Sequence, residues 1–260
     1  MNLKRLIPLL AVAALALVSL GAQAAGVDVI GFINDHREVL MGIGLAGTVR
    51  VPNGATVAIE SGSAAAVTVS AVTNALPAAC TTSSAHGLAT GDFVEIVSGW
   101  SRLSNKIVRV TVVDTTHFTI DSYDTTLTSI YPAGSGTGTV AKVSGFTQLS
   151  QILTVGTSGG DQQFLTYQLL EADAQKQIPT FKNPVSVSMS VADDPTLPGF
   201  ILAGVANDDR LPRAVKVTLP DGSLILYNGY LSLNRTPSLT VNELMACQVT
   251  VSLLNEPVRY

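Results

Sequence analysis

The sequence predicts an all-β chain with one short flanking helix, and three observations carry that expectation. Val185, Val187, Met189 and Val191 alternate with Ser186, Ser188 and Ser190, the period-2 pattern of a strand with one buried face. Leu219-Pro220-Asp221-Gly222-Ser223 is a turn with a mechanism, because proline presets φ and Asp-Gly accepts the tight bend. Ala214 to Leu219 and Leu224 to Leu233 therefore read as a hairpin around it, with Val241 to Leu254 as a long closing strand. The third observation is compositional. Of 260 residues only 13% are charged and 5% aromatic, while 47% are hydrophobic. That charge is about half of the roughly 25% usual in globular proteins. A Val/Thr/Ser/Ala/Gly-rich chain of this kind suits strands that bury their surface in a core or against copies of themselves.

From the amino terminus, Met1 to Ala25 has the form of a secretory signal. Lys4 and Arg5 give the positive start, Ile7 to Leu20 the apolar run, and Ala22-Gln23-Ala24 a cleavage pattern. The apolar run is shorter than the roughly 20 residues of a membrane span, and no membrane partner is expected. Residues 26–46 form a connector ending in the glycine-rich Met41 to Gly47, and Met41 is an alternative start. Val49 to Val51 and Thr56 to Glu60, bracketing Pro52-Asn53-Gly54, read as a first hairpin or a sharply turned strand. Ala65 to Gly145 has a different texture. Strands are expected at Val67–Val72, Phe93–Val97, Ile107–Val113, His117–Ile120 and Thr139–Val143, with Asn74 to Ser84 polar and small. The expected organisation is thus a main β domain from 47–66 and 144–260, with a small all-β module inserted at 67–143. Phe146 to Leu170 reads as a long hairpin whose tip is Gly156-Thr157-Ser158-Gly159-Gly160-Asp161. Ala172 to Lys182 reads as a loop or short helix. Asp193 and Asp194, before Pro195, are expected to cap the single helix, whose apolar face would be Phe200, Ile201, Leu202 and Val205 and whose end is Asn207.

The residue pattern excludes several chemistries. A net charge of −4 without a basic stripe argues against a protein that grips nucleic-acid phosphates. Cys80 and Cys247 belong to no metal-ligand spacing and read as buried small residues, with a single disulfide as the other possibility. His36, His86 and His117 lie in separate segments, His86 as a turn residue. Gly134-Ser135-Gly136 falls in a loop between strands rather than at the strand–helix elbow of a hydrolase. Gly156 to Gly160 lacks the lysine and helix of a phosphate loop. Asp208 and Asp209, with Arg210, read as capping and salt-bridging a surface loop or as meeting a neighbouring subunit, and the adjacent pair Asp193 and Asp194 as caps rather than catalysts. Trp100 reads as a packed turn residue, with a sugar-stacking platform as the alternative. No catalytic residue, metal site or cofactor is expected.

One resemblance goes beyond these readings. The succession FTQLSQILTVGTSGGDQQFLTYQLLEADAQKQIPT, SVSMSVADDPTLPGF and NDDRLPRAVKVTLPDGSLILYNGYLSLNRTPSLTVNELMACQVTVSLLNEPVRY resembles the tail tube proteins (major tail proteins) of long, non-contractile-tailed bacteriophages. HGLATGDFVEIVSGWSRLSNKIVRVTVVDTTHFTID is similar to a small β module that recurs in phage tail proteins. The resemblance covers about Gly47 to Tyr260. It implies a β-sandwich or barrel-like core with one helix, and six copies per ring. Stacked rings would form a channel for genome delivery in the virion tail, assembled in the host cytoplasm. Partners would be further copies of the chain, other tail proteins such as the tape measure and terminator, and double-stranded DNA that passes without specific binding. Gln151, Gln162, Gln163 and Thr166 are expected at subunit contacts or the lumen. Gly156, Ser158, Gly159, Gly160 and Asp161 are expected in a loop between rings. The family begins near Gly44, so residues 1–40 have three readings: an export signal, a fusion, or a start set too early. The rival reading is an exported periplasmic or surface β-rich binding protein using the Trp100 loop.

Overall fold

The computed structural model describes residues 52–260. The signal-like segment, the connector and the strand read at Val49–Val51 lie outside the described residues. Pro52–Tyr260 is one compact unit. In it are β1 (Thr56–Ser63), β2 (Val67–Val72), β3 (Ala78–Thr82), β4 (Phe93–Ser98), β5 (Lys106–Val112) and β6 (His117–Ile120). These are followed by β7 (Gly138–Leu149), β8 (Ile152–Ser158), β9 (Gln162–Tyr167), β10 (Lys176–Lys182) and β11 (Ser186–Ala192). The helix α1 (Pro198–Asp209) precedes β12 (Pro212–Thr218), β13 (Leu224–Ser238), β14 (Ala246–Leu253) and β15 (Val258–Arg259). The fold is all-β with one helix among the described residues, as the alternation and composition predict.

Two layers of architecture meet in one strand. β2, β3, β6, β5, β4 and β7 pair in that order, and β7 returns to β2, which closes a barrel. Its interior is filled by residues including Val94, Ile96, Val110, Phe118 and Ile120, all at most 2% exposed. β7 then continues beyond the barrel. Its first half, to Lys142, pairs with β2 and β4, and its second half, from Val143 to Leu149, pairs with β1. From there an open antiparallel sheet runs β7-β1-β12-β13-β14-β11-β8. One face of this sheet packs on α1 through Val57, Ile59, Leu149, Val215, Val249 and their neighbours. The opposite face, at Ala214 and Leu226, meets Ile107 of the barrel and Val143. The carboxy terminus ties the two parts together: the Arg109 N–H donates to the Tyr260 hydroxyl at 2.9 Å, and the Arg109 guanidinium lies 4.6 Å from that ring's centre. Asn228 Nδ2 donates to Glu95 Oε1 at 2.7 Å and to the Asn105 carbonyl at 3.1 Å.

Four expectations need correction. Gly156–Asp161 is not the tip of a hairpin. β8 pairs with β11, whereas β9 pairs with β10 in a separate two-stranded ribbon. Gly159 and Gly160 both adopt positive φ and steer the chain past Pro184; a Cβ on Gly159 would lie 2.0 Å from the Pro184 carbonyl oxygen. Gly160 N–H and the Asn183 and Asp161 backbones then bond across the divide. Second, 176–182 is a strand rather than a loop or helix, and a further strand, β3, occupies part of Asn74–Ser84. Third, the helix cap is neither Asp193 nor Asp194. The N-cap is Leu197, Pro198 fills the first turn, and no side chain bonds the cap. Asp194 instead closes its own turn, accepting from the Thr196 N–H at 3.1 Å and the Thr196 hydroxyl at 2.6 Å. Asp193 Oδ1 lies 3.6 Å from Cys247 Sγ. Fourth, the buried helix face is Gly199, Phe200, Ala203, Gly204 and Ala206, while Ile201 and Val205 are exposed. Small residues win there because the helix lies close on the sheet. A Cβ on Gly199 would stand 2.2 Å from the Gln148 carbonyl oxygen. The helix also runs past Asn207 to Asp209 and ends at Arg210, whose φ is 55°.

Candidate assembly surface

The free edge of the open sheet is its least satisfied feature. β8 bonds to β11 on one side and to no strand on the other among the described residues. Directly opposed residues in antiparallel strands share a face. The row Leu233–Val249–Met189–Val155 therefore crosses four strands on the core side of the sheet. Its first three members are 6%, 0% and 1% exposed, but Val155 is 56% exposed. A parallel row, Leu231–Val251–Val187, ends in the exposed Thr157. The apolar face thus continues to the edge and stops uncovered. An uncapped edge with its backbone donors and acceptors unpaired is a template for another chain.

The β9–β10 ribbon is the second such feature. Every residue of β10 is exposed, and Phe164, Leu165, Ile178 and Phe181 stand open to solvent. Leu165 lies opposite Ile178, and Phe164 opposite Pro179, so both faces of the ribbon carry apolar groups. A two-stranded ribbon is marginal alone in water, and apolar patches of this kind mark contact surfaces. Its tip presents Leu169 and Leu170, the latter fully exposed, followed by exposed Glu171 and Asp173. Of the residues expected at contacts, Gln162, Gln163 and Thr166 come together on β9. Gln162 Nε2 donates to the Phe181 carbonyl at 3.2 Å. Gln151 is set apart, in the β7–β8 turn with φ 59°. Gly156 and Ser158 lie on the free edge, while Gly159, Gly160 and Asp161 form the step into the ribbon. The apolar ribbon residues and Val155 escaped sequence reasoning, although a Phe/Leu/Ile content in a segment without burial periodicity was a signal for them.

A cleft of about 1090 Å³ opens between the barrel, the ribbon base and the carboxy-terminal segment. Arg102, Lys106, Lys182 and Arg259 line it, with Glu256 as the one carboxylate among the lining residues, and Tyr123, Tyr131 and Tyr227 supply aromatic surface. Lys182 takes the Glu256 carboxylate at 2.5 Å and holds it below the ordinary range. Lys106 Nζ donates to the Glu256 carbonyl at 3.3 Å and lies 5.8 Å from the Tyr123 ring centre. Burial, with Arg102 nearby, lowers the Lys106 ammonium pKa despite Glu256. The Tyr123 hydroxyl donates to the Arg102 carbonyl at 2.9 Å and lies 3.2 Å from the Tyr131 hydroxyl. Sequence reading offers no sign of this cluster, whose cations come from three segments far apart in the chain: Arg102 with Lys106, Lys182, and Arg259.

The remaining candidates resolve into structure. Trp100 is 1% exposed and spends its indole N–H on the Pro132 carbonyl at 2.8 Å, which removes it as a ligand platform. His86 is buried, with Nδ1 accepting from the Leu88 N–H and Nε2 facing the Asp114 carbonyl. Cys80 and Cys247 are both free and buried. Asp208 pairs with Arg235 at 2.7 Å, and Asp209 pairs with Arg213 while accepting the Leu211 N–H. No group of His, Cys, Asp and Glu among the described residues could hold a metal ion. No helix among them is long and apolar enough to cross a membrane.

Comparison with curated proteins gives no match. The family model described as phage tail tube protein, TTP, matches residues 98–260, more than half of the chain. The matched span takes in the end of β4 and everything from β5 to β15, including the shared strand, the free edge, the ribbon and α1, and leaves out β1 to β3.

Proposed function

The chain belongs to the phage tail tube protein family, and on that premise we propose that six copies close into a ring and that rings stack into the channel for genome delivery. The observation that carries this reading is the apolar row ending in Val155 at a free edge. In a ring, the next copy covers that row and bonds the edge of β8, so each subunit completes its neighbour. Gly156 and Ser158 lie at this contact. The ribbon, with Gln162, Gln163 and Thr166, reaches a neighbouring copy, and Gly159 to Asp161 set its departure from the sheet. The barrel formed by β2 to β7 decorates the outside, because a unit of that size would obstruct a DNA-wide lumen.

The work of such a protein is assembly rather than catalysis. Its net charge of −4 suits passage of DNA, since cationic contacts to phosphates would retard exit. Tape measure and terminator proteins are its expected partners in the tail, with assembly in the host cytoplasm. Electron microscopy of the purified chain at rising concentration tests the reading. Tubes or rings of uniform width are expected; monodisperse monomers across the whole range refute it.

A further inference from the structure

We propose that the cationic cleft lined by Arg102, Lys106 and Arg259 receives the tip of the β9–β10 ribbon from a second copy of this chain. The inference rests on the tube reading and specifies one of its contacts. Three observations lead to it. The cleft gathers four cations and one carboxylate on a protein of net charge −4, so it is a local exception to the overall charge. The ribbon tip carries the complementary chemistry, with Glu171 and Asp173 following the exposed Leu169 and Leu170. The acids match the guanidinium groups of Arg102 and Arg259, and the leucines match the tyrosine surface of Tyr123 and Tyr227.

The third observation is geometric. Gln162, Thr180 and Lys182, at the base of the ribbon, themselves line the cleft. Five residue steps along β9 at about 3.3 Å each carry the tip roughly 17 Å away. The same copy's tip therefore departs from its own cleft, and the contact is made between copies. Tip and cleft are different surfaces, so the contact is head-to-tail and leaves the tips of every subunit open at one end of a stack and the clefts of every subunit open at the other. Lys182 and Glu256, already paired with each other, hold the ribbon base at the rim and leave Arg102 and Arg259 for the incoming acids.

Charge reversal tests this in the full chain. Glu171→Lys with Asp173→Lys, and separately Arg102→Glu with Arg259→Glu, should each raise the concentration needed for tubes about tenfold, the scale of two exposed ion pairs. All four groups are exposed, and far-UV circular dichroism checks that the variants fold. The two reversed chains mixed together should assemble near the wild-type concentration, because each supplies what the other lost. Both reversed chains forming tubes at the wild-type concentration overturns the contact and leaves the tube reading standing. A wild-type chain that never assembles overturns the tube reading and the contact with it. A 20-base-pair DNA duplex is the probe for the other anionic occupant. Arg102→Glu/Arg259→Glu abolishing duplex binding while tube formation is unchanged overturns the proposal in favour of a phosphate polymer.

Discussion

Replacing Trp100 by alanine tests the barrel more directly than any other single change. The indole is 1% exposed, stacks edge-on against Tyr131 at 5.2 Å and donates to the Pro132 carbonyl at 2.8 Å. Gly136 leaves room for it, since a Cβ there would come within 2.9 Å of the ring. Truncating a buried tryptophan costs about 3–5 kcal/mol in lost burial and residual cavity. For a unit of this size each kcal/mol shifts Tm by about 2–4 °C, so the melting temperature should fall by roughly 6–20 °C. Trp100→Phe keeps most of the apolar volume but strands the Pro132 carbonyl, and should cost about 1–3 kcal/mol. Far-UV circular dichroism follows both melts without needing the tryptophan. Because Trp100 is the only tryptophan of the chain, acrylamide quenching of the wild type reports its burial separately. Free-solvent quenching, or an alanine variant within about 1 kcal/mol of wild type, would refute the packed indole and reopen the solvent-facing ligand platform.

Two further outcomes follow from buried titratable groups. Glu60, 7% exposed, accepts the Ala214 N–H at 2.8 Å; burial, helped by Glu95, raises its pKa against that bond and Arg213. A raised folded pKa means the protonated form favours the native state, so this contribution is present at low pH and lost as pH rises through the raised value. Glu60→Gln keeps an acceptor and removes the charge, so its urea midpoint should exceed wild type near about pH 8, the gap closing toward about pH 4.5; a variant less stable throughout would contradict the sign. The Cys80 thiol is pushed up to about 12 by burial, and Cys247 is raised by burial and Asp193. Both should resist a thiol-specific chromogen in the native protein at neutral pH and react together once denatured; fast native labelling would place a cysteine at the surface.

Much of the fold was legible because its strands bury one face. β11 was readable from Val187, Met189 and Val191, and β12–β13 from the Asp-Gly turn. β10 was not, and the reason is physical. KQIPTFK buries nothing, so no alternation was selected, and Pro179 is tolerated because both strands of a two-stranded ribbon are edges. β3 was missed because its inward residues Ala78, Cys80 and Thr82 fill a crowded barrel with small side chains rather than with branched aliphatics. The helix face was misread for the same reason: hydropathy favours Ile201 and Val205, while close approach favours Gly199, Ala203 and Ala206. The assembly surface was legible only as composition. Long-range pairing decides that β8 joins β11, and neighbouring segments in sequence carry no information about that choice.

The shared strand β7 sets a parity condition on how this architecture can vary. It runs unbroken from the barrel into the open sheet, with Val143 at the changeover. Side chains along it alternate between faces, so an insertion of one residue near Val143 would turn Leu149 away from α1 while the barrel half stayed in phase. Insertions and deletions there must come in even numbers or be absorbed by a bulge, such as the register shifts already present opposite it at Gly62. A barrel exchanged between relatives would therefore have to match in phase along this strand as well as in sequence at its ends, and its tilt would be copied unchanged into every subunit of an assembly.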